Sequence, residues 1–404
     1  MTNDLRSRLT SSGCLPADRS RALLVGRAWV PALSGPAPVR VAGDHLLDLS
    51  PIAPTSSELL NRVDAVREIR TANALPRLGL VSEILANSAE ASRDPARPWL
   101  LAPCDLQAVK ASGVTFVASM LERVIEEQAR GDPARADDVR RKVAGVLGGS
   151  LRNVKPGSAE AARVKAVLQG EGLWSQYLEV GIGPDAEIFT KAPPMASVGT
   201  GAPIGIHRKS TWNNPEPEVV LAVSARAQTV GAALGNDVNL RDFEGRSALL
   251  LGRAKDNNAS CAIGPFIRLF DEHFTLDHVR ASTLELTVEG DDGFVLRGAC
   301  PLAEISRDPL DLVAHAIGPD HQYPDGLMLF LGTMFAPIED RREPGQGFTH
   351  DVGDVVTIAA PALGALVNRV DYCDAIAPWT FGVGALMRNL AQRRAYGEGR
   401  PPRL

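Results

Sequence analysis

Two glutamates one residue apart have the type and spacing to bind a cation. Glu216 and Glu218 stand at the head of the apolar run "PEVVLAV". In a strand, residues i and i+2 face the same side, so this spacing brings both carboxylates together. Pro217 lies between them and has no N–H to give to a ladder, which indicates a strand start or an edge strand. Two carboxylates about to enter a core need a compensating charge.

A hard dication fits that need, because Mg²⁺ and Ca²⁺ prefer oxygen ligands. Such a site requires a third ligand, and Asp237 in "LGNDVNLRD" is the candidate. The intervening "VVLAVSARAQTVGAAL" predicts a hairpin that returns Asp237 to the side of Glu218. These residues alone leave one alternative open, an exposed strand face on which like charges cost little in water.

Composition limits the classes of function. The chain has 404 residues, of which 45% are hydrophobic and 23% charged, and a net charge of −5, which is typical of a globular protein with two or three domains. It contains no basic block and only 5% aromatic residues, so we expect no nucleic-acid partner. Its five cysteines form no CxxC pair, which argues against a zinc site. No apolar run is long enough to cross a membrane, so we expect a cytoplasmic protein with no membrane partner.

The pattern of elements changes along the chain. We expect a small N-terminal α/β domain over residues 1–95 and a larger second domain over residues 96–404. Helical spacing predicts helices over residues 114–130, in "DDVRRKVAGVLGG" and in "SAEAARVKAVLQGEG". From about residue 185, short apolar runs alternate with turns, and "VEGDDGFV" predicts a hairpin. The expected fold class is therefore α+β, mainly β, with a roll-like or barrel-like second domain.

Four motifs together resemble the fumarylacetoacetate hydrolase superfamily. They are "STWNNPEPEVVLAV", "GNDVNLRDFEG", "AKDNNASCAIGPFI" and "GDVVTIAAPALGALVNRV", and they occur in that order within about residues 185–370. The resemblance implies the mixed β-roll of that family, with one Mg²⁺ (or Mn²⁺) held by Glu216, Glu218 and Asp237. It also implies a homodimer or homotetramer that acts on a small-molecule substrate.

The branch of the family follows from a missing histidine. The hydrolases use a catalytic histidine in an "NYxxH"-like stretch, whereas the comparable "KASGVTFVASMLERVIEEQ" contains none. "RKSTWNNPEPE", "EIFTKAP" and "LLLGRAKDNN" instead resemble the 2-keto-3-deoxy sugar acid dehydratases. That resemblance implies dehydration of a 2-keto-3-deoxypentonate, derived from D-xylonate or D-arabinonate, to 2,5-dioxopentanoate. The reaction, a step of pentose metabolism, would pass through a metal-stabilised enolate.

Two residues match the proton-transfer groups that this chemistry needs. Lys255 in "GRAKDNN" is the candidate base for the C3 proton, and beside a dication both burial and repulsion would lower its pKa. A solvated surface lysine is the alternative for Lys255. Glu187 in "AEIFTKAP" is the candidate acid for the departing C4 hydroxyl, and the alternative is a carboxylate at a strand edge.

Three further residues match substrate-binding positions. Arg241 could hold the substrate carboxylate, although pairing with Asp242 or Glu244 explains it equally well. Thr333 in "LGTMFAP" matches a family threonine near the substrate carboxylate, against the alternative of a buried strand threonine. Lys191 is expected to line the pocket.

Two other functions stay open on the sequence. A metal-dependent hydrolase of a β-diketone or acylpyruvate would need a substitute for the missing histidine, for which Glu122 or Glu187 with a water is the candidate. A catalytically silent binding protein of the same fold is the other alternative. The three carboxylates and Lys255 argue against the silent protein.

Overall fold

The computed structural model describes residues 4–116, 120, 154–172, 174–333, 339–342 and 347–397. The helix predicted in "SAEAARVKAVLQGEG" is confirmed and spans Ala159–Gly170. The helices predicted over residues 114–130 and 137–149 lie almost entirely outside the described residues, as does Glu122.

The described residues contain more strand than helix, in agreement with the expected fold class. The strands are Leu24–Val30 (β1), Gly35–Ala42 (β2), His45–Asp48 (β3), Arg77–Leu80 (β4), Trp99–Leu101 (β5), Ala108–Gly113 (β6), Glu187–Ala192 (β7), Pro203–Ile206 (β8), Asn213–Asn214 (β9), Pro217–Val223 (β10), Thr229–Asp237 (β11), Asn239–Leu240 (β12), Cys261–Leu269 (β13), Thr283–Glu289 (β14), Val295–Pro301 (β15), Leu327–Phe330 (β16), Val355–Ala360 (β17) and Gly364–Tyr372 (β18). The helices are Leu5–Arg8 (α1), Ser11–Cys14 (α2), Ser56–Asn61 (α3), Ala65–Thr71 (α4), Val81–Asn87 (α5), Ala159–Gly170 (α6), Gln176–Ile182 (α7), Arg241–Glu244 (α8), Leu251–Lys255 (α9), Leu276–Arg280 (α10), Pro309–Ala316 (α11) and Val383–Gly397 (α12).

One large sheet of 11 strands runs through the protein in the order β4-β3-β2-β1-β13-β11-β10-β16-β6-β7, with β5 also paired to β1. Most of its pairs are antiparallel, but β16 and β6 are parallel. A five-stranded sheet has the order β15-β14-β17-β18-β8, and its β14–β15 hairpin confirms the turn predicted at "GDDG".

Strand β10 lies between two hydrophobic cores, and its alternating side chains determine which face of the sheet Glu218 lies on. Val219 and Leu221 pack into the core shared with the five-stranded sheet. Val220 and Ala222 face the opposite core, beneath α3 and α4. Because side chains alternate along a strand, Glu218 continues the row of Val220 and Ala222.

The first strands of the chain belong to the same sheet as the later ones. Strand β1 pairs antiparallel with β13, in the register Leu24 to Arg268. The domain boundary near residue 95 therefore stays a prediction. The described helices include none of the length and apolarity that crossing a membrane requires.

Candidate active site

The hairpin of β10 and β11 brings the three predicted ligands together. The two strands pair antiparallel with Glu218 opposite Gly235. The backbone N–H of Asp237 donates to the carbonyl of Glu216 at 3.0 Å, which closes the hairpin at this end. One carboxylate oxygen from each of Glu216, Glu218 and Asp237 lies within 4.8 Å of the others. The hairpin expected from the sequence is confirmed.

All three carboxylates are buried, and this affects their protonation. Glu218 is 1% exposed and Glu216 is 7% exposed. Burial first, and then the charges of Asp237 and Glu216, raise the pKa of Glu218 well above its usual value. The backbone N–H of Gly332 donates to Glu218 Oε2 at 2.6 Å and partly offsets this rise. The hydrogen bond from Gly332 thus does not fully stabilise the negative charge of the buried cluster.

Lys255, the last residue of α9, points into the carboxylate cluster. Its Nζ donates to Glu216 Oε2 and, at 3.0 Å, to Asp237 Oδ2. Burial lowers the pKa of Lys255, but the charges of Asp237 and Glu216 outweigh burial, so the net pKa is raised. This direction is opposite to the lowered pKa expected from the sequence, because the carboxylates here pair with the lysine itself. A dication on the same oxygens would oppose the effect of the two carboxylates on Lys255.

Lys191 lies behind Asp237. It is 0% exposed, and its Nζ lies 2.8 Å from Asp237 Oδ1 in an ion pair that is not aligned as a hydrogen bond. Nζ also donates to the carbonyls of Val238, at 3.0 Å, and Lys255. The register of β6 and β7 shifts at this point, so Lys191 has no cross-strand partner. Such a bulge re-aims a side chain, and here it directs the ammonium to Asp237.

Asn239 and Glu244 belong to the site, although no catalytic role was assigned to either from the sequence. Asn239 Nδ2 donates to Glu216 Oε1 at 3.0 Å and to Glu244 Oε2 at 2.6 Å. One buried amide therefore orients two acidic residues. Asn239 follows Asp237 by two residues in "NDVN". That spacing could have indicated from the sequence that Asn239 lies near the site.

A cavity of about 40 Å³ opens onto the cluster. The three carboxylates and Lys255 line it, and the other lining residues are Ser112, Gly113, Val114, Glu187, Phe189, Glu244, Leu251 and Thr333. The structure thus brings Glu187 and Thr333 to the same cavity as Lys255. The hydroxyl of Thr333 lies 4.0 Å from Cys300 Sγ. None of the described lining residues is a histidine.

Arg241 lies apart from this lining. Its guanidinium stacks over the ring of Trp212, with 4.3 Å between Cζ and the ring centroid. Neither Arg241 nor Lys191 is among the described residues that line the cavity. Their assignment to substrate binding stays a prediction.

The side chains suit a divalent cation. Glu216, Glu218 and Asp237 offer oxygen ligands only, which Mg²⁺ and Mn²⁺ prefer. The raised pKa of Glu218 marks an excess of buried negative charge that a cation would compensate. The described part of the chain therefore contains a group that could hold a metal.

Comparison with known proteins places the chain in a family. The model of the fumarylacetoacetate (FAA) hydrolase C-terminal domain matches residues 164–371, just over half of the chain. The chain belongs to the fumarylacetoacetate hydrolase family. The matched segment contains the three carboxylates, Lys255 and Glu187.

Two curated relatives carry dehydratase names. A probable 2-keto-3-deoxyxylonate dehydratase of Haloferax volcanii is 30% identical over 194 residues, which are 48% of this chain and 63% of the relative. A 2-dehydro-3-deoxy-D-arabinonate dehydratase of Saccharolobus solfataricus is 31% identical over 187 residues, which are 46% of this chain and 58% of the relative. The match thus spans about three fifths of each relative.

A solved structure shares the fold. It is a 2-keto-3-deoxy-D-arabinonate dehydratase complexed with magnesium and 2,5-dioxopentanoate, and it superposes with a TM-score of 0.59. The superposition covers 86% of this chain and 99% of that one, at 20% sequence identity. The expected fold is thereby confirmed.

Proposed function

We propose that this protein is a hydro-lyase that dehydrates a 2-keto-3-deoxypentonate, derived from D-xylonate or D-arabinonate, to 2,5-dioxopentanoate with Mg²⁺ as cofactor (Mn²⁺ as a substitute). The observation that carries the proposal is the convergence of three buried carboxylates with a buried lysine on one cavity. The two dehydratase names among relatives of about 30% identity support the same substrate class. We also propose that the enzyme acts as a homodimer or homotetramer in the cytoplasm.

Glu216, Glu218 and Asp237 would hold the ion. When bound, Mg²⁺ would polarise the C2 ketone of a 2-keto acid and stabilise negative charge on that oxygen. The protein's contribution is to keep Glu218 and Glu216 in place before the ion arrives, through the N–H of Gly332 and the amide of Asn239, respectively. Preorganised ligands need no reorganisation during the reaction.

Lys255 is the proposed base for the C3 proton. Its ammonium donates hydrogen bonds to Glu216 and Asp237, so the side chain is buried beside the proposed metal ligands and is not at the surface. Only a neutral amine can accept a proton, and the two carboxylates favour the charged amine. With a dication held by those carboxylates, their charge would favour the ammonium less, and Lys255 would take the C3 proton as a neutral amine.

Glu187 is the proposed acid for the departing C4 hydroxyl. It lines the same cavity as Lys255, whose Nζ lies 5.6 Å from the ring centroid of the neighbouring Phe189. Glu187 and Phe189 are two residues apart on β7 and therefore face the same side. Thr333, which lines the same cavity, would contact the substrate carboxylate.

A coupled assay tests the proposal. The protein is incubated with Mg²⁺ and each C4 epimer of 2-keto-3-deoxypentonate, and semialdehyde is detected with an NAD-linked aldehyde dehydrogenase. We expect NADH formation that EDTA abolishes and that Mg²⁺ or Mn²⁺ restores. Full activity of the metal-stripped protein would contradict the proposal.

Acylpyruvates form the second arm of the same assay. A hydrolase would consume the enol absorbance of an acylpyruvate and leave the 2-keto-3-deoxypentonates unchanged. That pattern would replace the dehydratase proposal with the hydrolase alternative.

A further inference from the structure

Gly113 ends β6 at the point where β7 begins with Glu187. The two residues are direct partners in the antiparallel ladder. Side chains of paired residues project from the same face of a sheet. Glu187 therefore stands beside a residue that has no side chain, in the wall of the cavity that both residues line.

The side chain of Glu187 occupies the space that a side chain at Gly113 would fill. A Cβ built on Gly113 would lie 2.6 Å from Glu187 Cδ and 3.2 Å from Glu187 Cγ, and closer still to Oε2. Nonbonded carbon atoms pack at about 3.5–4.0 Å. The carboxyl group can hold this position only over a glycine.

The backbone after Gly113 is held in place. Val114 has φ of +52°, in the left-handed region that β-branched residues rarely adopt. The chain leaves the strand at this corner. Beyond it, the hydroxyl of Thr115 donates to the carbonyl of Leu331 at 2.7 Å. This hydrogen bond anchors the corner on its far side and restricts movement of Gly113 away from Glu187.

We propose that Gly113 is the positioning residue for the acid Glu187. Resting on the proposed function, this inference adds that the absence of a Cβ at Gly113 lets the Glu187 carboxyl group lie inside the cavity. Any larger uncharged residue at position 113 displaces the carboxyl group without changing the charge of the site. Glu218 and Asp237 stand on β10 and β11, and Glu216 directly precedes β10, so we expect these three carboxylates to stay in place.

A double-mutant cycle tests the inference. Glu187→Gln should slow net dehydration by roughly 10²–10⁴-fold, the range of a general acid. Gly113→Ala should slow it by at least 10²-fold, and the double variant should be no slower than Glu187→Gln alone. In all three variants, C3–H exchange in D₂O and Mn²⁺ affinity by EPR should stay within a few-fold of wild type.

Gly170→Ala is the matched control, because a Cβ there would meet nothing within 4 Å. It should keep wild-type rates. Wild-type dehydration by Gly113→Ala, while Glu187→Gln is slow, would overturn the inference and leave the proposed function intact. Multiplicative losses in the double variant would also overturn it, as would an unchanged rate in Glu187→Gln, since Gly113 would then have no acid to position.

A thermal measurement tests the contact without any reaction. If Gly113→Ala lowers the melting temperature, Gly113→Ala with Glu187→Ala should recover it, because removal of the glutamate side chain makes room for the new methyl group. A double variant as unstable as Gly113→Ala would show that the clash lies elsewhere and would overturn the inference. This result does not depend on whether the protein is a dehydratase.

Discussion

Two buried charged groups in this protein differ in how their charge is balanced. In the site, the carboxylates of Glu216, Glu218 and Asp237 face two lysines. Near the loop before β17, Asp354 is held by the Arg341 guanidinium, with Arg341 Nη2 at 2.8 Å from Asp354 Oδ1 and His350 Nδ1 at 3.0 Å from Oδ2.

The pKa shifts of the two groups run in opposite directions. Burial would raise the pKa of Asp354, but hydrogen bonds from His350 and Arg341 outweigh burial and hold the pKa at about 2. For Glu218, the Gly332 N–H and the charge of Lys255 do not outweigh burial and the charges of Asp237 and Glu216, so its pKa is raised. Asp354, whose charge is neutralised by its partners, stabilises the fold. The cluster around Glu218 keeps an excess of negative charge, which a bound cation would neutralise. This contrast separates a structural ion pair from a binding site.

The largest effect is expected for Glu218→Gln. The amide cannot supply the third anionic ligand, so Mg²⁺-dependent activity should fall by at least 10³-fold. The metal-free protein should become more stable, by about 1 kcal/mol, because a buried charge beside two like charges is removed. Thermal unfolding with and without Mg²⁺ measures both effects.

In the same experiment, Mg²⁺ should stabilise the wild type by about 2.7 kcal/mol at one hundred times its Kd. The Glu218→Gln variant should show no such increase. A metal-free variant that unfolds below the wild type would contradict the view that the cluster carries unbalanced charge.

Asp354→Asn should have the opposite effects: it should lower the stability of the protein and leave Mg²⁺ binding unchanged. Loss of this carboxylate leaves the buried guanidinium of Arg341 without its main partner, and breaking a buried pair costs about 3–5 kcal/mol of unfolding free energy. Urea unfolding measures the loss. The Kd of Mg²⁺ should stay unchanged in this variant, and a weakened Kd would mean that the two charged groups are coupled.

A smaller effect on the free energy of unfolding is expected when the pH is lowered. The pKa of Asp354 is about 2 in the folded protein, below the usual value near 3.9 in an unfolded chain. The stabilisation is therefore present above about pH 4 and is lost as the pH falls toward 2, with a total of about 2.5 kcal/mol. Unfolding free energies from pH 5 to pH 2 should show a steeper loss in the wild type than in Asp354→Asn. Equal slopes would show that Asp354 does not contribute.

The sequence was sufficient to predict that Glu216, Glu218 and Asp237 lie close together and that a hairpin brings them there. The spacing of Glu216 and Glu218 at a strand start and the turn between the two apolar runs are local features, so the hairpin followed from pattern alone. The β14–β15 hairpin and the helix at Ala159–Gly170 were predictable for the same reason.

The remaining features of the site depend on contacts between distant segments. The bulge that aims Lys191 arises from pairing with β6, about eighty residues earlier. The N–H of Gly332 reaches Glu218 across the β10–β16 pair. The raised pKa of Lys255 depends on which carboxylates it meets, and no local pattern specifies that. The position of the Glu187 carboxyl group inside the cavity depends on Gly113, its partner on the neighbouring strand.

The most direct test of the central claim follows the C3 protons of a 2-keto-3-deoxypentonate by NMR in D₂O with Mg²⁺ and the Lys255→Met protein. Methionine keeps an unbranched apolar stem but removes the basic nitrogen, while the three carboxylates remain. We predict that Mn²⁺ still binds and that C3–H exchange and 2,5-dioxopentanoate formation are both lost, whereas Glu187→Gln keeps the exchange. Wild-type exchange in Lys255→Met would contradict the account, because another group would then be the base.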